Sequence, residues 1–155
     1  MRYYERVLRP DEKLAFFSSI HWIVYWSAIL FLLADVVILA VLLGTPSQSS
    51  YRLIEGTALI AFAVLALLSF LRAFLRRMGT EIAITDRRVI FKRGLISRHT
   101  VEMNISKIET VDVEQSLWGR VLGYGDVIIR GTGGTFEPLR RVDHPLELRS
   151  AILAG

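Results

Sequence analysis

Residues 53–93 read LIEGTALIAFAVLALLSFLRAFLRRMGTEIAITDRRVIFKR, and two periodicities meet inside them at Gly79. Before Gly79 the stretch is almost continuously apolar from Leu53 to Leu75, cleanest from Gly56 to Leu71. A helix of about 20 apolar residues crosses the hydrocarbon core of a bilayer, so this run is long enough to span one. After Gly79 the pattern is that of strands: TEIAIT and RVIFKR are short, rich in β-branched and aromatic residues, and bounded by turn residues. In RVIFKR, Val89 and Phe91 take one face while Ile90 and Lys92 take the other. Thr85-Asp86-Arg87 reads as a tight turn in which Asp86 bonds its own backbone. Gly94 closes the next turn by supplying a positive φ. The chain is therefore α+β, an apolar helix running straight into a half-buried sheet.

Toward the N-terminus a second apolar run, Ile20 to Leu43, reads IHWIVYWSAILFLLADVVILAVLL. GTPSQSSYR between the runs leaves no room for a domain, so the two predict an antiparallel transmembrane hairpin with spans at about 20–43 and 53–75. A cleaved signal peptide is the rival reading of the first run. That run is too long for one and has no small-residue cleavage site before the turn. Arg2, Arg6, Arg9 and Lys13 precede the first span, Arg72, Arg76 and Arg77 close the second, and the turn offers Arg52 alone. The positive-inside rule then places both termini in the cytoplasm, with Trp22, Tyr25 and Trp26 at the cytoplasmic boundary. Thr57, Ala58, Ala61, Ala63, Ala66 and Ser69 give the second helix small positions for close packing. Asp35 lies well inside the first span. Its expected state is protonated or bonded to a small polar group of a neighbouring helix; the sharper reading makes it a proton- or substrate-responsive group.

Toward the C-terminus, SRHTVEM, KIETVDV and DVIIRG continue the strand pattern. In KIETVDV, Ile108, Thr110 and Asp112 oppose Glu109, Val111 and Val113. Gly131, Gly133 and Gly134 mark a hairpin leading to a last strand around residues 135–140. DHPLELRSAILAG closes the chain as a helix, with Asp143 as N-cap, Pro145 in the first turn, and Glu147 at the positive end of the dipole. Leu148, Ala151 and Ile152 form its apolar stripe. In EQSLWGRVLGYG, Ser116 caps a helical turn carrying Leu117, Trp118, Val121 and Leu122. The expectation is that this turn plugs the open end of a small barrel; the alternative is an apolar patch that meets lipid or a partner.

Chemistry is sparse. The chain has no cysteine, which excludes disulfides, thiolate metal sites and cysteine nucleophiles. His21, His99 and His144 lack metal-ligand spacing. No serine stands in a nucleophile elbow, and the glycines of GTGGT and GYGD precede no Lys-Ser/Thr pair that would make a phosphate loop. No catalytic constellation, metal or cofactor is expected. The formal charge of +4 is unevenly placed. Residues 1–78 carry eight basic side chains against five acids, and residues 79–155 carry eleven against ten. A nearly neutral domain lacks the basic face that nucleic-acid binding needs.

The string TDRRVIFKRGLISR, the KIETV run and QSLWGRVLGYGDVIIRGTGG together resemble the bacterial pleckstrin-homology-like domain of membrane-flanked proteins. The opening VLRPDEKLAFFSSIHW is similar to the segment leading into the first span in that family. The resemblance implies a pleckstrin-homology-like antiparallel β-barrel with a C-terminal helix, a membrane hairpin before it and no established catalytic activity; the expected location is the bacterial inner membrane. Eukaryotic relatives of the fold bind phosphoinositides through basic residues around the first strand turn. Arg87, Arg88, Lys92, Arg93 and Arg98 lie in or near the matching region, and some of them are expected to share one rim facing the cytoplasmic leaflet. The alternative is that Arg87 and Arg88 pair with Asp86, Glu102 or another acid. Trp118 joins them as a candidate lipid- or partner-binding residue.

The expected organisation is a cytoplasmic segment at 1–19, the hairpin at 20–78 and the barrel domain at 79–155. The expected function is a non-enzymatic, membrane-tethered interaction or scaffold module that binds protein partners, itself or anionic headgroups. The alternative is a component of an oligomeric transport or stress-sensing assembly that uses Asp35.

Overall fold

A computed structural model describes residues 7–44, 46, 51–95, 97, 99–135 and 138–154. The chain forms two compact units, Met1–His21 with Arg76–Gly155, and Trp22–Leu75.

The second unit is built from a 3₁₀ turn at Trp22–Tyr25, helix α1 at Trp26–Gly44 and most of helix α2 at Arg52–Gly79. The 23 and 28 residues of these helical segments reach about 35 and 42 Å at 1.5 Å per residue, each longer than a bilayer core of about 30 Å. Both helices are long and apolar enough to cross a membrane. Little of their apolar surface is covered within the chain; Leu43 and Leu53 are 79% and 82% exposed. They meet through aromatic pairs, Tyr25 stacked on Phe70 at 5.4 Å and Phe31 edge-on to Phe62 at 6.0 Å. Of the small residues expected to serve close packing, Ala66 is buried, whereas Thr57, Ala61 and Ala63 are exposed.

Among the described residues the first unit holds eight strands: β1 Leu14–Ser18, β2 Glu81–Thr85, β3 Arg88–Arg93, β4 His99–Asn104, β5 Ile108–Glu114, β6 Tyr124–Gly131, β7 Gly134–Thr135 and β8 Leu139–Asp143. Short helices α3, Leu117–Leu122, and α4, Pro145–Ala154, complete it. One antiparallel sheet has the order β1-β2-β3-β4; in the other, β6 pairs with β5, β7 and β8. The barrel expected from the sequence is not closed. The sheets join at one corner through the Ile20–Val142 bridge and two backbone bonds. His21 N–H donates to Arg141 O at 2.8 Å and Asp143 N–H to Ser19 O at 3.0 Å. At the opposite seam β4 passes into β5 through the 3₁₀ turn Ile105–Lys107, and the two strands belong to different sheets.

Alternation builds the core. Ile82 and Ile84 of β2, Val89 and Phe91 of β3, and Val127 and Ile129 of β6 all point into it, and Leu148 and Ile152 of α4 cover it. A register shift between Ile108 and Thr110 alters the parity expected for β5, so that Ile108, Val111 and Val113 all turn inward. Such a bulge inserts one residue and re-aims what precedes it.

Three local expectations change. The domain does not begin at Gly79, because Leu14–Ser18, upstream of the hairpin, supplies the edge strand β1 paired with β2. Ile20 and His21, counted with the first span, instead bond β8. Asp143 is not the cap of α4: it ends β8, and His144, at φ 49°, stands before Pro145. Gly94 does take positive φ, at 92°. The last strand lies at Leu139–Asp143, later than expected, and Phe136 and Glu137 fall outside the described residues.

Candidate functional site

The strand pairings give the first unit two ends. Ser18 pairs with Ile82, Glu81 with Lys92, and Arg93 with His99, so these lie at the end from which the chain departs after His21. Leu14 pairs with Thr85, and Arg88 with Asn104, at the far end. β3 runs from one to the other. At about 3.3 Å per residue, Arg88 and Arg93 are about 16 Å apart along the strand. The structure therefore does not gather the basic residues of the first turn into one rim: Arg87 and Arg88 stand at the far end, Lys92 and Arg93 at the departure end. Arg98 lies outside the described residues.

At the far end Arg88 is committed to acids. Its Nε and Nη2 donate to the two oxygens of Glu12 at 2.8 and 2.7 Å. Nη1 donates to Glu102 at 2.6 Å, and Nη2 also reaches Val7 O at 3.1 Å. Such a two-pronged guanidinium–carboxylate pair is among the stronger charge-assisted contacts. Only 11% of the Arg88 side chain and 1% of that of Glu12 is exposed. Thr85 Oγ1 donates to Glu12 at 2.7 Å and accepts the Arg88 N–H at 3.0 Å, shaping the turn that the sequence assigned to Asp86. Asp86 instead accepts from Lys13 N–H at 3.0 Å, holding β1 in place. The Arg88 hydrogen bonds, helped by Thr85 and the Arg9 N–H, hold the Glu12 carboxyl down at about 2 against the opposing effect of burial. Arg87 pairs with Asp11 at 2.8 Å, both about half exposed, a pair of small energetic value. Around this cluster opens a cleft of about 560 Å³, with Arg9, Asn104, Ile105 and Ser106 on its walls.

The departure end is built differently. His21 is buried, stacked on Tyr124 at 5.3 Å, and burial holds its imidazole below the ordinary value. Lys92 pairs with Glu81 at 3.5 Å. Helix α3 follows β5 at this end. Ser116 caps it by accepting the Gly119 N–H at 3.0 Å, as expected, and Gly123 ends it at φ 79°. Gln115 Nε2 ties it down through Tyr124 O at 3.0 Å. The expected plug is not formed. Leu117, Trp118 and Val121 are 80%, 71% and 76% exposed, because the helix packs through Gly119 and turns its large side chains outward. A Cβ on Gly119 would stand 2.6 Å from Tyr124 O.

In the helical unit, Asp35 Oδ1 is buried and lacks a hydrogen-bond partner among the described residues. The polar neighbour expected for it is therefore not supplied to that oxygen; Thr57 Oγ1 donates to Ile54 O of its own helix. Among the described residues no group of three or more His, Asp or Glu side chains could hold a metal ion. Sequence reasoning missed Glu12 and Thr85, for which only proximity in the folded sheet gives a signal.

A family model described as Bacterial PH domain matches residues 22–155, starting after β1. No curated protein and no solved structure matches.

Proposed function

We propose a function that proceeds from the chain's family: it belongs to the bacterial PH domains, and its role is that of a non-enzymatic, membrane-tethered interaction module. In this reading Trp22–Gly44 and Arg52–Leu75 span the bacterial inner membrane, and the strand unit recognises a protein segment in the cytoplasm. The observation that carries it is the pairing of β1 with β2 across the intervening helices. One sheet made from both flanks requires both ends of the hairpin to lie on one side of a membrane. That geometry agrees with the basic flanks, Arg9 and Lys13 before and Arg72, Arg76 and Arg77 after, and the positive-inside rule makes that side the cytoplasm. A tethered domain is already concentrated at its membrane, so modest affinity for a partner suffices. The far-end cleft supports a protein segment over a phosphate as its ligand, because Glu12 and Glu102 already neutralise Arg88.

Reporter fusions test the arrangement: those at either terminus are expected to read as cytoplasmic and one inserted near residue 49 as periplasmic. A periplasmic signal from the C-terminal fusion overturns it. A photo-crosslinker at Ser106 in the full chain is then expected to form a discrete protein adduct that charge reversal of Glu102 removes. An adduct insensitive to that change, or none, argues against the cleft.

A second reading is favoured by one observation, the Asp35 oxygen that has no hydrogen-bond partner among the described residues. An ionisable group inside a span is costly unless paired, so copies or a larger partner would complete it in a transport or sensing assembly. Correctly inserted Asp35→Asn that loses the cellular role supports this reading; full function removes it.

A further inference from the structure

We infer that the departure end of the strand unit is itself a lipid-binding face, α3 inserting Leu117, Trp118 and Val121 into the headgroup boundary while a neighbouring arginine cluster holds anionic headgroups. The inference rests on the membrane-tethered reading and adds to it a second contact with the same bilayer.

Three observations converge. The first is the exposure of three large apolar side chains on a helix that is capped at both ends and pinned to Tyr124, so the patch is presented rather than frayed. Exposed apolar clusters rimmed by polar residues mark interaction sites, and tryptophan favours the bilayer interface, where its ring is apolar and its N–H stays wet.

The second is position. His21, the last residue before Trp22, stacks on Tyr124 directly after α3, and its N–H is bonded to Arg141 O. Arg77, where the chain returns, is near enough to act on the charge of His21. The face carrying α3 is thus the face from which the chain leaves for the first span and to which it comes back.

The third is charge. Arg93, Arg140 and Arg141 lie near enough to Arg76 to act on its charge, as does the acid Asp126, and all four arginines are exposed. Arg141 holds a left-handed backbone, φ 56°, a conformation unusual for a side chain of its size. Asp126 fixes it by accepting the Arg141 N–H at 2.7 Å, and the carbonyl is taken by His21. Strain of this kind persists where the surroundings over-determine it, and it sits at an irregularity of the β6–β8 ladder, a device that re-aims side chains. Several arginines brought together repel, and a phosphate-bearing surface relieves that repulsion.

The test uses the full chain reconstituted in vesicles of phosphatidylethanolamine and phosphatidylglycerol. With Trp22→Phe and Trp26→Phe, Trp118 is the sole tryptophan. Its emission is expected to be blue-shifted, quenched by lipid brominated near the headgroup end of the acyl chain, and protected from acrylamide. Quenching is expected to fall in phosphatidylcholine vesicles and in the Arg140→Gln, Arg141→Gln double variant. Trp118→Phe, which keeps Trp22 and Trp26, is the control for the hairpin. If those two are quenched by brominated lipid while Trp118 responds only to acrylamide, the inference fails and the tethered reading stands. Trp118 shielded from both quenchers also overturns it, since protein then covers the patch. Lipid quenching indifferent to both headgroup charge and the double variant overturns the arginine half. If Trp22 and Trp26 are not quenched by lipid, the tethered reading falls and the inference with it.

Discussion

Glu12 and Arg88 are 76 positions apart in sequence and 2.7 Å apart in space. Their pairing in a nearly dry setting makes Glu12 a sensor of acid. Its carboxyl titrates at about 2 rather than its ordinary 4.5, so the carboxylate contributes stability above pH 4.5 and loses it as pH falls toward 2. Thermal unfolding of the full chain in detergent is expected to weaken across that window by a few kcal/mol. Glu12→Gln is expected to cost about 3 kcal/mol at neutral pH, the low end for breaking a buried pair because Glu102 remains, and to flatten the acid slope. A variant as acid-sensitive as the parent would place the sensor elsewhere. Arg141 gives the opposite kind of prediction. Glycine adopts its left-handed backbone freely, so Arg141→Gly is expected to stay within about 1 kcal/mol of the parent or exceed it. Arg141→Val, β-branched at the same φ, is expected to lose about 2 kcal/mol or more. Equal stability of the two variants would show that this backbone relaxes.

At the level of elements, α3 depends on Gly119. A methyl group there meets Tyr124 O, so Gly119→Ala is expected to lift the helix and cost about 1–3 kcal/mol. Trp118 fluorescence in detergent should move with it; an unchanged spectrum and midpoint would mean that the helix shifts freely. The strands after Gly79 were legible because their alternation is clean: Ile82 and Ile84, or Val89 and Phe91, repeat every second residue and fill the core. β1 was not. LAFFS is five residues long, runs into the apolar stretch of the first helix, and has a partner strand that begins only at Glu81. The outward turn of Trp118 was equally hidden, since composition favours burying such a residue and only the tight fit at Gly119 decides against it. Register likewise separates Arg88 from Lys92 and Arg93, because residues four or five apart on a six-residue strand stand at its opposite ends. The β5 parity failed at a bulge, which leaves no mark in a sequence of alternating residues.

For the whole molecule, the decisive property is that one unit is made from two separated stretches of chain. Residues 79–155 alone lack β1, which exposes the edge of β2 and removes Phe16 from the core. This fragment is expected to aggregate, as unprotected edges do. Replacing residues 22–75 by a short Gly/Ser linker is expected to restore a soluble unit that unfolds cooperatively, measured by circular dichroism. If the fragment without β1 folds as well as the linked version, β1 is an accessory.

The same discontinuity orders events during synthesis. β1 leaves the ribosome first and has no partner until both apolar helices and the start of β2 have followed. In the membrane-tethered reading proposed above, insertion of the helix pair must therefore precede completion of the sheet. A chain inserted with its ends on opposite sides strands β1 across the bilayer from β2, leaving an open edge and an unfinished core for proteases to find. On that reading correct membrane orientation becomes a condition for folding, and the sheet acts as the proofreader of its own anchor.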